Sequence, residues 1–140
     1  MNRLVKIKLF AFALALTVLL LSSCSAGGSE LWDNAIYTSD SSVGEGGVVF
    51  TLTVEAAEKE VDITVKCDGG ILGDVLYGYG LINDPAIIDV ANGIEASWSE
   101  DKAYWSFFIG DDFAPVGVDA VEVTQGASYN LYTRNEKNKS

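Results

Sequence analysis

Hydrophobic and polar residues alternate with a period of two in two neighbouring stretches. Val48, Phe50, Leu52 and Val54 face one way and Val49, Thr51 and Thr53 the other, and Val61-Asp62-Ile63-Thr64-Val65-Lys66 repeats the alternation. That is the period of a half-buried strand. The polar Ala57-Glu58-Lys59-Glu60 between them predicts a turn, so the two strands form a hairpin. After Asp68-Gly69-Gly70 the period changes: Ile71, Leu72, Val75, Leu76 and Tyr79 fall on one stripe of a short helix that ends near Gly78 or Gly80. Strand patterns then return. Ile87-Ile88-Asp89-Val90 and Ile94-Glu95-Ala96-Ser97-Trp98 flank Asn92-Gly93, two residues that tolerate positive φ and suit a two-residue turn. Ala103-Tyr104-Trp105-Ser106-Phe107-Phe108-Ile109 is the most aromatic strand, and Tyr129-Asn130-Leu131-Tyr132-Thr133 is the last, after the turn Gln125-Gly126.

Hairpin, helix and then further strands define an α+β chain, a β-grasp-like mixed sheet packed on one short helix and spanning residues 48–133. Both flanks are different in kind. Arg3, Lys6 and Lys8 precede Phe10 to Leu21, a stretch that is apolar but for Thr17, and Ser22-Ser23-Cys24 follows. Basic start, short apolar run and small residues at the cut are those of an export signal over residues 1–23. As a helix this run rises about 18 Å against a hydrocarbon core of roughly 30 Å, which argues against a permanent membrane span. Leu21-Ser22-Ser23-Cys24 resembles the bacterial lipobox, so Cys24 is the expected lipidation site and mature N-terminus, and acyl chains there would anchor the protein to the membrane. Residues 24–47 read as lipidated cysteine, Ser/Gly-rich tether and irregular segment, with Trp32 and Tyr37 either docked on the domain or free. Residues 134–140 read as a polar tail.

Composition narrows the chemistry. The 140 residues carry 9 basic and 20 acidic side chains, a net charge of −11, and removing the leader takes three of the cations with it. Nucleic acid is not a partner at that charge. There is no histidine, which removes Ser-His-Asp and Cys-His catalysis and every imidazole metal ligand. With Cys24 lipidated, Cys67 stands alone, and its position at the end of an alternating strand reads as a buried, inert thiol. Asp111-Asp112 and Asp119 lie in neighbouring loops and carboxylates suit hard cations, but the spacing is not that of an EF-hand and solvated loop charge is the simpler reading. No metal site and no catalytic site are assigned, and the chain reads as a non-enzyme.

Leu31-Trp32-Asp33-Asn34-Ala35-Ile36-Tyr37, Gly44-Glu45-Gly46, Leu72-Gly73-Asp74-Val75-Leu76, Asn92-Gly93-Ile94, the aromatic strand and Gly117-Val118-Asp119 together carry a resemblance. From about Leu31 to Thr133 the chain resembles a family of bacterial surface lipoproteins of unassigned function, whose single domain is similar to the C-terminal β-domain of transcobalamin. The resemblance implies a β-grasp fold and an extracytoplasmic location. In transcobalamin-like proteins this domain closes over one side of a corrinoid, with a tryptophan-led strand near the ligand. Trp105 matches that tryptophan, and Phe107 and Phe108 are the next positions.

The strand period supplies its own reading of the same residues. Tyr104, Ser106 and Phe108 point one way and Ala103, Trp105, Phe107 and Ile109 the other, and the second set is the more apolar, hence the core face. Trp98, Tyr104 and Phe108 then form the open, stacking surface. The candidate ligand residues are therefore Trp98, Tyr104, Trp105, Phe107 and Phe108, with a corrinoid as the candidate ligand and no resident cofactor. Three readings follow. One is a membrane-tethered, non-catalytic module that captures a small molecule and passes it to a transporter; one is a surface protein-interaction or adhesion module; the last is a spacer without a ligand.

Overall fold

Strands form in each region where the alternation was read, some of them shortened, and at two places where it was not, 41–44 and 112–113. In the computed structural model, which describes residues 29–135, a 3-10 turn, Ser29–Asn34, is followed in chain order by Ser41–Gly44 (β1), Val48–Ala56 (β2), Lys59–Cys67 (β3) and the helix Leu72–Gly78 (α1). Val90–Ala91 (β4), Ile94–Glu95 (β5), the one-turn helix Trp98–Asp101 (α2), Ala103–Ile109 (β6), Asp112–Phe113 (β7) and Ser128–Asn135 (β8) follow. Cys24, the export signal and residues 136–140 lie outside the described residues.

The β2–β3 hairpin pairs from Val48 opposite Cys67 to Ala56 opposite Lys59. Ala57 and Glu58 close it with φ of 52° and 64°, the paired positive φ of a turn whose twist matches that of the strands. The main sheet is six-stranded in the order β1-β3-β2-β8-β6-β7. β8 runs parallel to β2 and antiparallel to β6, so the last strand in sequence lies inside the sheet. Such a parallel pairing needs a long crossover, and α1 with the segments after it supplies one. The architecture is thus a mixed sheet with a small helical part, consistent with α+β.

One face of the sheet is dry. Phe50, Leu52, Val54 and Ala56 on β2, Val61, Ile63 and Val65 on β3, and Tyr129 and Leu131 on β8 are buried, and they cluster with Leu72 and Leu76 of α1. Each fully buried aliphatic side chain here contributes roughly 2 kcal/mol of transfer free energy. The predicted helical stripe is the one that packs: Leu72 and Leu76 are enclosed, and Val75 and Tyr79 are half-buried beside them. α1 starts without a side-chain cap. Instead the Leu72 N–H donates to the Val121 carbonyl at 2.7 Å and the Val123 N–H to the Gly70 carbonyl at 2.9 Å, so a passing segment satisfies groups that a capping residue otherwise would.

Three expectations are corrected. Residues 24–47 are irregular only in part. The 3-10 turn Ser29–Asn34 docks Trp32, whose indole N–H donates to the Ala56 carbonyl at 2.9 Å, and β1 pairs in parallel with β3 from Ser41 opposite Ile63 to Gly44 opposite Lys66. Gly44 is required there: its φ is +82°, and a Cβ would collide with the Lys66 carbonyl and the Tyr79 ring. Next, the two strands expected around Asn92-Gly93 shrink to β4 and β5. The Asn83 side-chain carbonyl takes the N–H groups of Asp89 and Val90 at 2.9 and 3.0 Å in place of a longer ladder. Trp98 opens α2 instead of ending a strand, because Ser97 Oγ accepts the Glu100 N–H at 3.3 Å as an N-cap. Finally, β8 runs on through Arg134 and Asn135, residues read as tail, since both pair with β6.

Candidate functional site

The open face of the sheet carries what the core excludes. Alternation places Tyr104, Ser106 and Phe108 of β6 beside Arg134, Tyr132 and Asn130 of β8 in register, and Phe113 of β7 opposite Phe108. The rings meet. Phe108 and Tyr132 have centroids 5.2 Å apart, and Phe108 and Phe113 stand edge to face at 5.5 Å and 89°. The Arg134 guanidinium lies 5.5 Å from the centroid of Phe108 and 6.0 Å from that of Tyr132, within cation–π range of both rings. At the strand's other end Trp98 and Tyr104 are 6.1 Å apart, and Lys102 Nζ lies 5.5 Å over Trp98. Tyr104, the cross-strand partner of Arg134, links the two groups.

This surface is wet at its edges and closed at its base. Phe113 is 70 % exposed and Trp98 46 %, whereas Ser106 and Asn130 beneath are buried, Asn130 Nδ2 donating to the Gly110 carbonyl at 2.7 Å. Burial pushes the Tyr132 phenol above its ordinary value, and the nearby carboxylates Glu55, Glu60 and Asp111 push the same way against the opposing charge of Arg134. The register explains part of this: on β2, Glu55 faces Tyr132 on one side and Glu60 on the other. Such an arrangement offers stacking area and two cations, Arg134 and Lys102, but no nucleophile with an adjacent base.

The five sequence-derived candidates divide by strand parity. Tyr104 and Phe108 are on the open face, and Trp98 joins them from α2 through its contact with Tyr104. Trp105 is corrected to a core residue: it is buried, and its indole N–H donates to the Ile94 carbonyl at 3.2 Å. Phe107 also turns inward, against Tyr129 at 6.3 Å. Tyr132, Phe113 and Arg134 complete the surface and were not singled out by sequence. The alternation Asn130-Tyr132-Arg134 places the last two on one face, but only the pairing of β8 with β6 brings them to Phe108. Cys67 is buried and free. Among the described residues no three His, Cys, Asp or Glu gather where they could hold a metal ion, Asp111, Asp112 and Asp119 included.

A separate cavity of about 390 Å³ opens at the end of the sheet where β2 and β8 finish and β6 begins. Glu55, Glu58, Glu95 and Arg134 give it charge, and Ala56, Ala96 and Ala103 keep it roomy. None of the five predicted aromatic residues lines it.

No family model and no curated protein matches the chain. Among solved structures, it is similar to a protein of Ruminococcus gnavus ATCC 29149 named as a candidate metal-binding protein, with a TM-score of 0.57 and 20 % identity over 64 % of this chain and 98 % of that one. It is also similar to haptocorrin in complex with Cbi, with a TM-score of 0.48 and 17 % identity over 63 % of this chain. The match spans a quarter of haptocorrin's length, 25 % of that chain. The Ruminococcus likeness establishes a shared α+β fold. At this identity it says nothing of ligand or chemistry.

Proposed function

We propose that this protein is a non-catalytic, lipid-anchored extracytoplasmic module of β-grasp type that binds a ligand on the open face of its sheet. The observation that carries the reading is the continuous surface of Trp98, Tyr104, Arg134, Tyr132, Phe108 and Phe113. Large rings held on a rigid sheet give contact area at low entropic cost, and a guanidinium among them gives orientation. The strand order and the crossover through α1 support the β-grasp assignment, and the basic-apolar leader ending at Cys24 supports the anchor.

The candidate ligand is a corrinoid, on the strength of the sequence resemblance. A broad ring system would lie against Phe108 and Tyr132 while Arg134 and the Tyr132 hydroxyl meet its amide side chains, and the module would pass it on to a transporter. A single sheet face covers one side of such a ligand, so affinity for the isolated chain is modest. The second reading is a protein partner on the same face, favoured by the position of these rings outside the cavity and by the exposure of Phe113. Metal binding is not carried over from the Ruminococcus protein, because the described residues offer no ligand set.

Tryptophan fluorescence titrated with cobalamin and cobinamide, corrected for corrinoid absorbance with free tryptophan, tests the first reading. Saturable quenching is expected, weakened at least about tenfold by Phe108→Ser or Tyr104→Ala, each removing a ring from the contact. A flat titration on folded protein would reject the corrinoid, and crosslinking on intact cells through residue 113 would then decide for or against a protein partner.

A further inference from the structure

We infer that the cavity at the end of the sheet is a second binding site, for a small organic ammonium compound with a compact apolar body. The cavity shares Arg134 with the aromatic face, but the inference does not rest on a ligand there or on any corrinoid. The cavity holds about 390 Å³, a volume in the range of small-molecule sites. It is assembled from five separate parts of the chain: Leu31 from the N-terminal turn, the end of β2 with its hairpin turn, the β5 segment, the start of β6 and the end of β8.

Its walls join alanine methyl groups and Leu31 to Thr133 and charged side chains, and its charge is predominantly negative. Glu55 and Glu58 come from the β2–β3 hairpin and Glu95 from β5, and no side-chain hydrogen bond or ion pair ties Glu58 or Glu95 to another described residue. The one cation on the rim is committed elsewhere, since the Arg134 guanidinium lies over the rings of Phe108 and Tyr132. A ligand entering here meets apolar floor and unpaired carboxylates, the pattern that selects a positive head on an apolar body. Behind the wall, Lys59 Nζ sits 4.8 Å over the ring of Trp32, whose indole N–H is bonded to the carbonyl of Ala56, a wall residue, so the chain's own ammonium there is held by a ring outside the cavity. The acidic balance of the whole protein also attracts cations over longer range.

The probe is phenethylamine, with 2-phenylethanol and phenylacetate as neutral and anionic partners of similar size, titrated into the full-length protein in non-ionic detergent and followed by amide NMR shifts. Saturable shifts at Glu58, Glu95 and Ala96 are expected with the amine, with the alcohol about tenfold weaker and the acid without effect. Glu58→Gln and Glu95→Gln should each weaken the amine about threefold, the range for partly exposed pairs, and Ala103→Leu should abolish binding by filling the space. Both glutamates are exposed, so their variants fold even if Ala103→Leu does not. The inference fails if the alcohol binds as well as the amine, if the double Glu→Gln variant binds unchanged, if the shifts map outside the cavity, or if millimolar amine gives none. A corrinoid result of either sign on the aromatic face leaves these outcomes untouched.

Discussion

Tyr132 shows how a single side chain reports its surroundings. Its phenol is raised by burial and by Glu55, Glu60 and Asp111, so the folded protein favours the neutral form more than the unfolded chain does. The contribution to stability is therefore complete below the ordinary tyrosine value near 10 and is lost as the pH climbs from there through the raised folded value. Tyr132→Phe, which cannot ionise, should lose less stability than the parent as the pH is raised above the ordinary tyrosine value, as read by urea unfolding at stepped alkaline pH. Equal alkaline slopes in the two proteins would refute the account. Trp105 teaches the converse. Its neighbours in sequence marked it as aromatic and strand-borne, and parity assigned it to the apolar side, where the structure indeed buries it; resemblance alone would have aimed it at a ligand. The two sources disagree because a residue's type is local, whereas the face it presents depends on which side of β6 the rest of the chain covers, here the segment of Ile94.

At the scale of elements, the strands of the hairpin, α1 and β6 were legible because their own side chains repeat with the period of the element they form. Burial on one face then selects the register, since a slip of one residue would expose Leu52 and Ile63 and bury Thr53 and Asp62. The weaker elements were not legible for equally local reasons. β1 has little alternation and exists because β3 offers it a free edge, with the Asp40 carboxylate accepting the Asp62 N–H at 2.9 Å to fix its start. The turn at Asn92-Gly93 was readable, but its wider role was not. Asn92 is fully buried, and its side chain accepts the Tyr37 N–H at 2.9 Å and donates to the Tyr37 carbonyl at 2.8 Å. Gly93, with φ +78°, could not carry a Cβ without striking the Asn34 carbonyl. The turn thus clamps the N-terminal segment to the domain. Asn92→Ala should cost about 2 to 3 kcal/mol, from two lost hydrogen bonds and a strained positive φ, and should release Tyr37 amide protection in hydrogen exchange. Unchanged protection would refute the clamp by the Asn92 side chain and leave the segment held by Trp32, the Ile36 N–H bond to the Asn92 carbonyl and the β1–β3 pairing.

For the molecule as a whole, the last strand is the structural centre. β8 is bonded to β2 on one side and β6 on the other, so a chain ending at Ala127 would leave two strands without their common partner and the rings of Phe50 and Phe107 without Tyr129. Such a truncation should abolish cooperative thermal unfolding followed by circular dichroism, an outcome that retention of a sharp transition would contradict. No order of patterns along the chain could reveal this, because contacts between distant strands carry no local signature. Nor could it reveal the two candidate surfaces. Phe108, Phe113, Tyr132 and Arg134 meet only through strand pairing, and the cavity joins Leu31 to Glu95 and Arg134 across most of the described chain. By itself the sequence determined where the hairpin, α1, β6 and the core of β8 fall and which sides of them are apolar, because period and turn chemistry act over a few residues. Tertiary structure alone decided which strands are neighbours, which aromatic residues share the open face and where empty space remains, because these depend on how the covered faces close on one another.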